Sequence, residues 1–511
     1  MTDWTSGYVA DIAYTFGYYR ELNPLAIRIA FLNAGLAFPQ FGAACELGFG
    51  QGISTNIHAA ASVTEWSGTD FNPTQAGFAD ELASIAGSGA RLFDQSFAEY
   101  AARSDLPDFD YIGLHGIWSW ISDENRAVIV DFIRRKLKVG GVVYISYNTQ
   151  PGWAAMAPMR DLLAEHAEVM GAPGQGIVSR IDGALAFADQ FLAADPTYAK
   201  ANPLVADRLN GIKEQNRNYL AHEFFNRDWD PMSFSAMRGW LAPAKLSFAC
   251  SANYLDYVDS LNLTPAQQAL IREIPDEMFR QTVRDFMVNQ QFRKDYWVKG
   301  PRKLSSFDLQ ELSLAQTIML LTDRHDITMK VSGALGESSL SEAVYNPVLD
   351  ALADHHPRTL GQLFPLVAEK GVSFGQLVQA VMILIGAGHV LAVQDAAAVA
   401  KARKHTDKLN AHLTLMARGG EGIAYLASPV TGGGVPVSRI SKLFMLSLGQ
   451  GRKLPAHWVQ DAWQALVAQG QKLLKNGVIL DSEAENLAEL LAQAKAFETN
   501  ELPALKALQV I

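Results

Sequence analysis

The stretch "ELGFGQG", Glu46 to Gly52, sets three glycines at alternate positions behind a carboxylate. Glycine has no Cβ and tolerates positive φ, so a ligand can lie directly on the main chain. The free N–H groups that open the next helix favour a carboxylate or phosphate. Such a turn suits a nucleotide-like ligand, and it equally serves as a tight connection from strand to helix. A dinucleotide turn would need G-x-G-x-x-G, and Ile53 breaks that spacing. A second carboxylate, Asp70, follows 18 residues after Gly52 at the end of "EWSGTD". There it can accept two ribose hydroxyls at once, a charge-assisted bidentate contact. His115 has the chemistry of a general base or a ligand contact, and also that of a buried hydrogen-bonding group. Tyr14, Tyr18, Tyr19, Trp118, Trp120, Tyr147 and Trp153 offer ring faces for a cationic ligand or ordinary core packing.

These residues need a scaffold that gathers strand ends. "GAACEL" reads as a strand leading into the turn, and "STNIHAAASV" as the helix leaving it. "EWSGTD", "ARLFD" and "FDYIGLHG" read as further short strands, with "VVYISYN" (Val142 to Asn148) as the fifth. Between the last two, "SDENRAVIVDFIRRKLKVGG" predicts a helix capped by Ser122 and stopped at Gly140-Gly141. Alternating strands and helices predict a doubly wound sheet, whose ligands bind at the carboxyl ends of its strands.

Taken with Asp70, the pattern E-x-G-x-G-x-G resembles motifs I and II of the class I S-adenosylmethionine (SAM) methyltransferases. "LHGIWSWIS" and "YISYNTQPGW" resemble the segments after strands 4 and 5 of bacterial methyltransferases that carry a methyltransferase regulatory domain. That group includes lysine methyltransferases that modify an outer membrane protein. "NPLAIRIAFLNAG", "YLAHEFFNRDWDPMSF" and "SPVTGGGVPVSRISKLF" extend the resemblance along nearly the whole chain. It implies SAM as cofactor and S-adenosylhomocysteine as product. The cofactor contacts it implies are Glu46, Gly48, Gly50, Gly52, Asp70, Asp94, Ser96 and His115. His115, Trp118 and Tyr147 are the candidates for the reacting centre, the last two because they follow the ends of strands 4 and 5. The implied acceptor is a lysine of a protein substrate, such as an outer membrane or surface protein. A small-molecule methyltransferase and a non-catalytic SAM-fold regulatory protein are the alternatives. The chain departs from the family pattern at Asn23-Pro24, where His-Pro is common, and in Phe49 and Gln51 between the glycines. It also lacks an N/D-P-P-Y/F signature after strand 4 and has "NTQP" after strand 5 instead.

At 511 residues the chain exceeds one core. The expected organisation is α/β: a Rossmann-like seven-stranded class I methyltransferase sheet (1–152 and 227–302) interrupted by a helical insertion (153–226). A winged-helix-like domain (303–400) and a mainly helical region (401–511) follow. The insertion is expected to cover the substrate mouth, to form a homodimer contact, or simply to buttress the sheet. A net charge of −10 argues against a non-specific nucleic-acid or anionic-membrane binder. The basic cluster Lys401, Arg403, Lys404 and Lys408 reads as a solvated helix face. Two cysteines without a C-x-x-C pair exclude a disulfide framework or thiolate zinc site. "HEFFN" places Asn226 where a zinc helix needs its second histidine, so no metal is expected. The start, "MTDWTSGYVADIAY", has neither a basic opening nor an apolar run, and the cytoplasm is the default compartment.

Overall fold

The computed structural model describes residues 8, 12, 15–172, 174–420 and 422–511. The β-branched and aromatic runs form one sheet: β1 (Ala43–Leu47), β2 (Glu65–Asp70), β3 (Arg91–Asp94), β4 (Phe109–Leu114), β5 (Leu137–Asn148), β6 (Leu246–Ser251) and β7 (Phe292–Lys299). The order is β3-β2-β1-β4-β5-β7-β6, with β7 antiparallel to both neighbours and the other pairs parallel. Strands β1 and β4 are buried throughout, as strands covered by helices on both faces must be. Strand order reverses between β1 and β4, which opens a crevice beyond their carboxyl ends.

The helices that border this crevice start where their sequences provide caps. α1 (Pro24–Asn33) begins at Asn23, whose side chain accepts from Leu25 N at 2.9 Å. α2 (Ile53–Ala61) leaves the glycine turn and is buried along its whole length. α3 (Pro73–Ala86) is capped by Asn72, and α4 (Phe97–Ala101) by a Ser96–Glu99 capping box. α5 (Asp123–Lys136) is capped by Ser122, as its sequence predicts. Its end differs from expectation. The chain is already extended at Leu137, which pairs with Phe109, and β5 continues through Gly140-Gly141. A register shift opposite Phe109 and Tyr111 absorbs the extra residues, so the glycines mark a bulge rather than a helix stop.

Between β5 and β6 the chain runs through helices from Gln150 to Phe224, packed on their own cluster around Leu163, Ile181, Leu209 and Leu220. Farther on lie β8 (Thr317–Leu320), β9 (Lys330–Gly333), β10 (Gly336–Ser339), β11 (Arg358–Thr359) and β12 (Val390–Ala392). A small antiparallel sheet, β11-β8-β12, packs with the helices Glu342–Leu352, Leu360–Ala368 and Phe374–Gly386. The segment "ITMKVSG" runs into the separate hairpin β9–β10, and the sheet's central strand is the earlier β8.

The regions after residue 302 share cores with the sheet. Tyr144 and Tyr296 join Phe31 of α1 with Ile318, Leu320 and Leu384 in one cluster. Ile53 and Ile57 of α2, with Leu82 and Ala86 of α3, pack with Leu409, Leu426, Val435 and Phe444 of the C-terminal region. That region adds the hairpin β13 (Tyr425–Ser428) and β14 (Gly433–Pro436) to its helices. In its basic cluster Arg403 pairs with Asp407 at 2.7 Å, and Lys408 and the adjacent His405 lie near Gly87 at the carboxyl end of α3. Cations favour that helix end.

Candidate functional site

The loops after β1, β2 and β4 enclose a cavity of about 610 Å³ together with Tyr8, Thr15, Gly17, Tyr19 and the helical insertion. Glu46, Gly48, Gly50, Asp70, Ser96 and His115 line it. Gly52, Asp94, Trp118 and Tyr147 do not.

The glycine turn and Asp70 form one unit. Gly50 adopts φ +57° and donates its N–H to Asp70 Oδ2 at 2.8 Å, while Asn72 N donates to Oδ1 at 3.0 Å. A Cβ added at Gly50 would meet no heavy atom closer than Gln75 Oε1 at 3.8 Å, so the main chain there borders open space. Gly52, also at positive φ, has a different task. A Cβ there would collide with Ala79 of α3, so this glycine lets two helices approach.

Glu46 is buried and accepts a hydrogen bond from the Thr55 hydroxyl. Burial, reinforced by the charge of Asp70, pushes its pKa up to about 8. Burial also raises Asp70 to about 6, against the pull of its two backbone N–H donors. Two carboxyls held above their ordinary range in one wall suit a ligand that carries positive charge.

Asp94 lies exposed at the end of β3, in register with Asp70, and the cavity is lined by the next two residues, Gln95 and Ser96. The Ser96 hydroxyl is engaged by Glu99 at 2.8 Å. His115 bonds through Nδ1 to the Tyr144 hydroxyl at 2.8 Å and stacks on Tyr19, with ring centroids 3.5 Å apart. Burial lowers its pKa to about 3 despite the nearby Glu21, so the ring is neutral at physiological pH.

Two candidates for the reacting centre fall in the core. Both faces of β5 are buried, and alternation sends Val143, Ile145 and Tyr147 to the one packed on the α5 side, where the Tyr147 hydroxyl donates to Asp295 at 3.0 Å. The following residue, Asn148, is the one that reaches the cavity. After β4 the chain bends at Gly116, φ +63°, into the short turn Trp118–Trp120. Trp118 turns inward, its Nε1 3.3 Å from Met232 Sδ, and Trp120 faces the cavity.

The cavity is also lined by Trp120, Trp153, Tyr219, Phe292, Glu223 and Asp228. Trp153 Nε1 donates to Asn148 Oδ1 at 3.1 Å, and Trp120 Nε1 to Glu223 O at 3.2 Å. Of the mouth aromatics, Tyr19, Trp120 and Trp153 line the cavity, Tyr18 is partly buried in the adjoining core, and Tyr14 lies outside the described residues. Sequence reading missed Gln75, Gln95, Tyr219 and Phe292. Gln95 sits between the two residues chosen there, whereas Phe292 reaches the site only by pairing with Asn148 across β5 and β7. His222 uses both ring nitrogens, toward Tyr8 Oη at 3.2 Å and Ile12 O at 3.0 Å. Among the described residues no group of three or more His, Cys, Asp or Glu is placed to hold a metal. No described helix is long and apolar enough to cross a membrane.

Comparison with known proteins adds to this geometry. Residues 216–299 match the family described as predicted methyltransferase regulatory domain. The chain is 40% identical over 514 residues to the Synechocystis protein sll1526, an alignment covering 99% of each chain. It is 27% identical over 202 residues to the Rickettsia prowazekii protein RP789, covering 38% of this chain and 35% of that one. Among solved structures, PKMT2 from Rickettsia typhi in complex with AdoHcy superposes with a TM-score of 0.68 at 17% identity. That match covers 98% of this chain and all of PKMT2, so the two share a fold from end to end.

Proposed function

The chain belongs to the family of regulatory-domain methyltransferases, and on that premise we propose that it moves the methyl group of SAM onto a lysine side chain of a protein substrate in the cytoplasm. The observation that carries this reading is the coupling of a side-chain-free turn to a buried carboxylate, Gly50 N to Asp70 Oδ2, in the wall of a cavity that aromatic side chains also line. The residues fit the cofactor. Gly50 leaves main chain open to it while Gly48 lets Ile117 pack close, Asp70 would take its ribose hydroxyls, and Gln95 with Ser96 borders the space beyond. Asp70 supplies negative charge for a cationic ligand at neutral pH, and Glu46 adds to it once a bound cation draws off its proton.

When bound, SAM supplies a methyl group activated by its sulfonium. The chain's own part is positioning and electrostatics. The Tyr19 ring stacks on His115, whose imidazole is neutral near pH 7. Trp120, Trp153, Tyr219 and Phe292 give the acceptor end faces that hold an alkyl chain and its nitrogen. A partly dry aromatic end disfavours the charged ammonium, which must lose its proton before nitrogen can attack. Glu223 and Asp228 also line the cavity, and acidic groups there attract a cationic side chain before that loss.

Incubation of the purified protein with methyl-labelled SAM and a cell lysate tests the proposal. Label in protein bands that hydrolyse to methylated lysine supports it. Label confined to the small-molecule fraction replaces it with a small-molecule methyltransferase.

A further inference from the structure

The C-terminal "TGGG", Thr431 to Gly434, takes no part in the chemistry above, yet it meets the residues that wall the cavity. It forms the turn and first positions of the hairpin β13–β14. Gly434 N donates to the Tyr18 hydroxyl at 2.7 Å, and the Asn23 side chain donates to Thr431 O at 3.1 Å. The Tyr18 ring fills the space that side chains on the hairpin would need. A Cβ on Gly433 would lie 2.6 Å from Tyr18 Oη, and one on Gly434 would lie 2.8 Å from Tyr18 Cε2. The same ring sits 4.7 Å from Tyr425 and 5.2 Å from His58 of α2. The hairpin and α2 therefore hold one tyrosine ring between them.

The next residue carries that grip to the cavity. Tyr19 N donates to the Ser54 hydroxyl on α2 at 2.9 Å, and the Tyr19 ring stacks on His115 and lines the cavity. Thr15 and Gly17 line it as well. We propose that the hairpin 431–434 and Tyr18 form a strut that holds residues 15–19 across the cavity, so that the C-terminal region governs how tightly the cofactor is retained. Tyr18 is a positioning residue: it stays out of the cavity and acts through Tyr19 and His115. The identity of the retained ligand rests on the methyl-transfer reading, whereas the strut itself does not.

The test uses the full chain and two readouts, hydrogen–deuterium exchange of residues 15–22 without ligand and calorimetric binding of S-adenosylhomocysteine. Tyr18→Phe removes the acceptor of the Gly434 N–H, and Gly434→Ala displaces the ring. Gly470→Ala is the control, since that glycine adopts φ +64° with open space around it and strains the same region without touching Tyr18. Both strut variants are expected to speed exchange at residues 15–22 and to weaken binding about tenfold, the worth of a well-placed hydrogen bond. The control should do neither. Unchanged exchange, unchanged affinity, or an equal loss in Gly470→Ala overturns the strut. If Gly434→Ala fails to fold, Tyr18→Phe decides alone. Wild-type protein that takes up no S-adenosylhomocysteine refutes the methyl-transfer reading, and exchange still judges the strut.

Discussion

Replacing Asp70 with asparagine should separate ligand binding from stability, because the carboxylate serves the first at the expense of the second. The ligand-free fold holds the Asp70 proton more tightly than the unfolded chain does, since burial raises its pKa from 3.8 to about 6. The neutral acid's contribution to stability is therefore complete below 3.8 and is lost as pH rises through about 6. That loss is on the order of 3 kcal/mol. Asp70→Asn removes it, but an amide has one oxygen and cannot accept from both Gly50 N and Asn72 N. Leaving one buried donor unpaired costs about 1–3 kcal/mol, so the two effects nearly cancel at pH 7. The variant should melt within a few degrees of wild type at neutral pH, yet lack its decline in stability between acid and neutral pH. S-adenosylhomocysteine affinity should fall by about 1.5–3 kcal/mol, roughly 10- to 150-fold, for the lost charged hydrogen bonds. Thermal melts across pH and titration calorimetry measure both. Equal affinities, or parallel pH–stability curves, refute the reasoning.

Gly50→Ala should cost about 1–2 kcal/mol of stability for its left-handed backbone and lower S-adenosylhomocysteine affinity at least about tenfold. Gly52→Ala, which drives a methyl into Ala79, should destabilise more in denaturant titrations while changing binding less per unit of folded protein. Wild-type affinity for SAM should rise between pH 6 and 8, because a bound cation favours ionised Glu46 and releases its proton. Glu46→Gln should flatten that profile, as calorimetry in buffers of different ionisation enthalpy would show. Trp118→Ala should destabilise the protein by about 3–5 kcal/mol, as truncation of a buried tryptophan does. The turnover of its folded fraction should be retained, and full folding with lost turnover would restore Trp118 to the reacting centre.

The half of the site built on β1 and β2 was legible because it depends on local chemistry. A glycine turn after an apolar strand and a carboxylate one β-α unit later occupy places that chain geometry alone dictates. The other half depends on pairing across the sheet. Tyr147 and Asn148 are adjacent, and only the phase of β5 decides which of them faces the core. Phe292 enters through an antiparallel strand that follows well over a hundred residues later, and no local pattern announces such a neighbour. The helices after residue 302 were readable as helices, but their apolar faces did not reveal that α2 and α3 were their partners.

That partnership affects how the chain is made. Helix α2 and the following α3 bury Ile53, Ile57, Leu82 and Ala86 against side chains from residue 393 onward, about 300 residues later. At about 5–20 residues per second, ribosomes take roughly 15–60 s to synthesise that interval. The emerging donor-binding segment thus spends most of translation with one greasy flank uncovered, which makes it a substrate for chaperones and the first place a slowed or interrupted synthesis would precipitate.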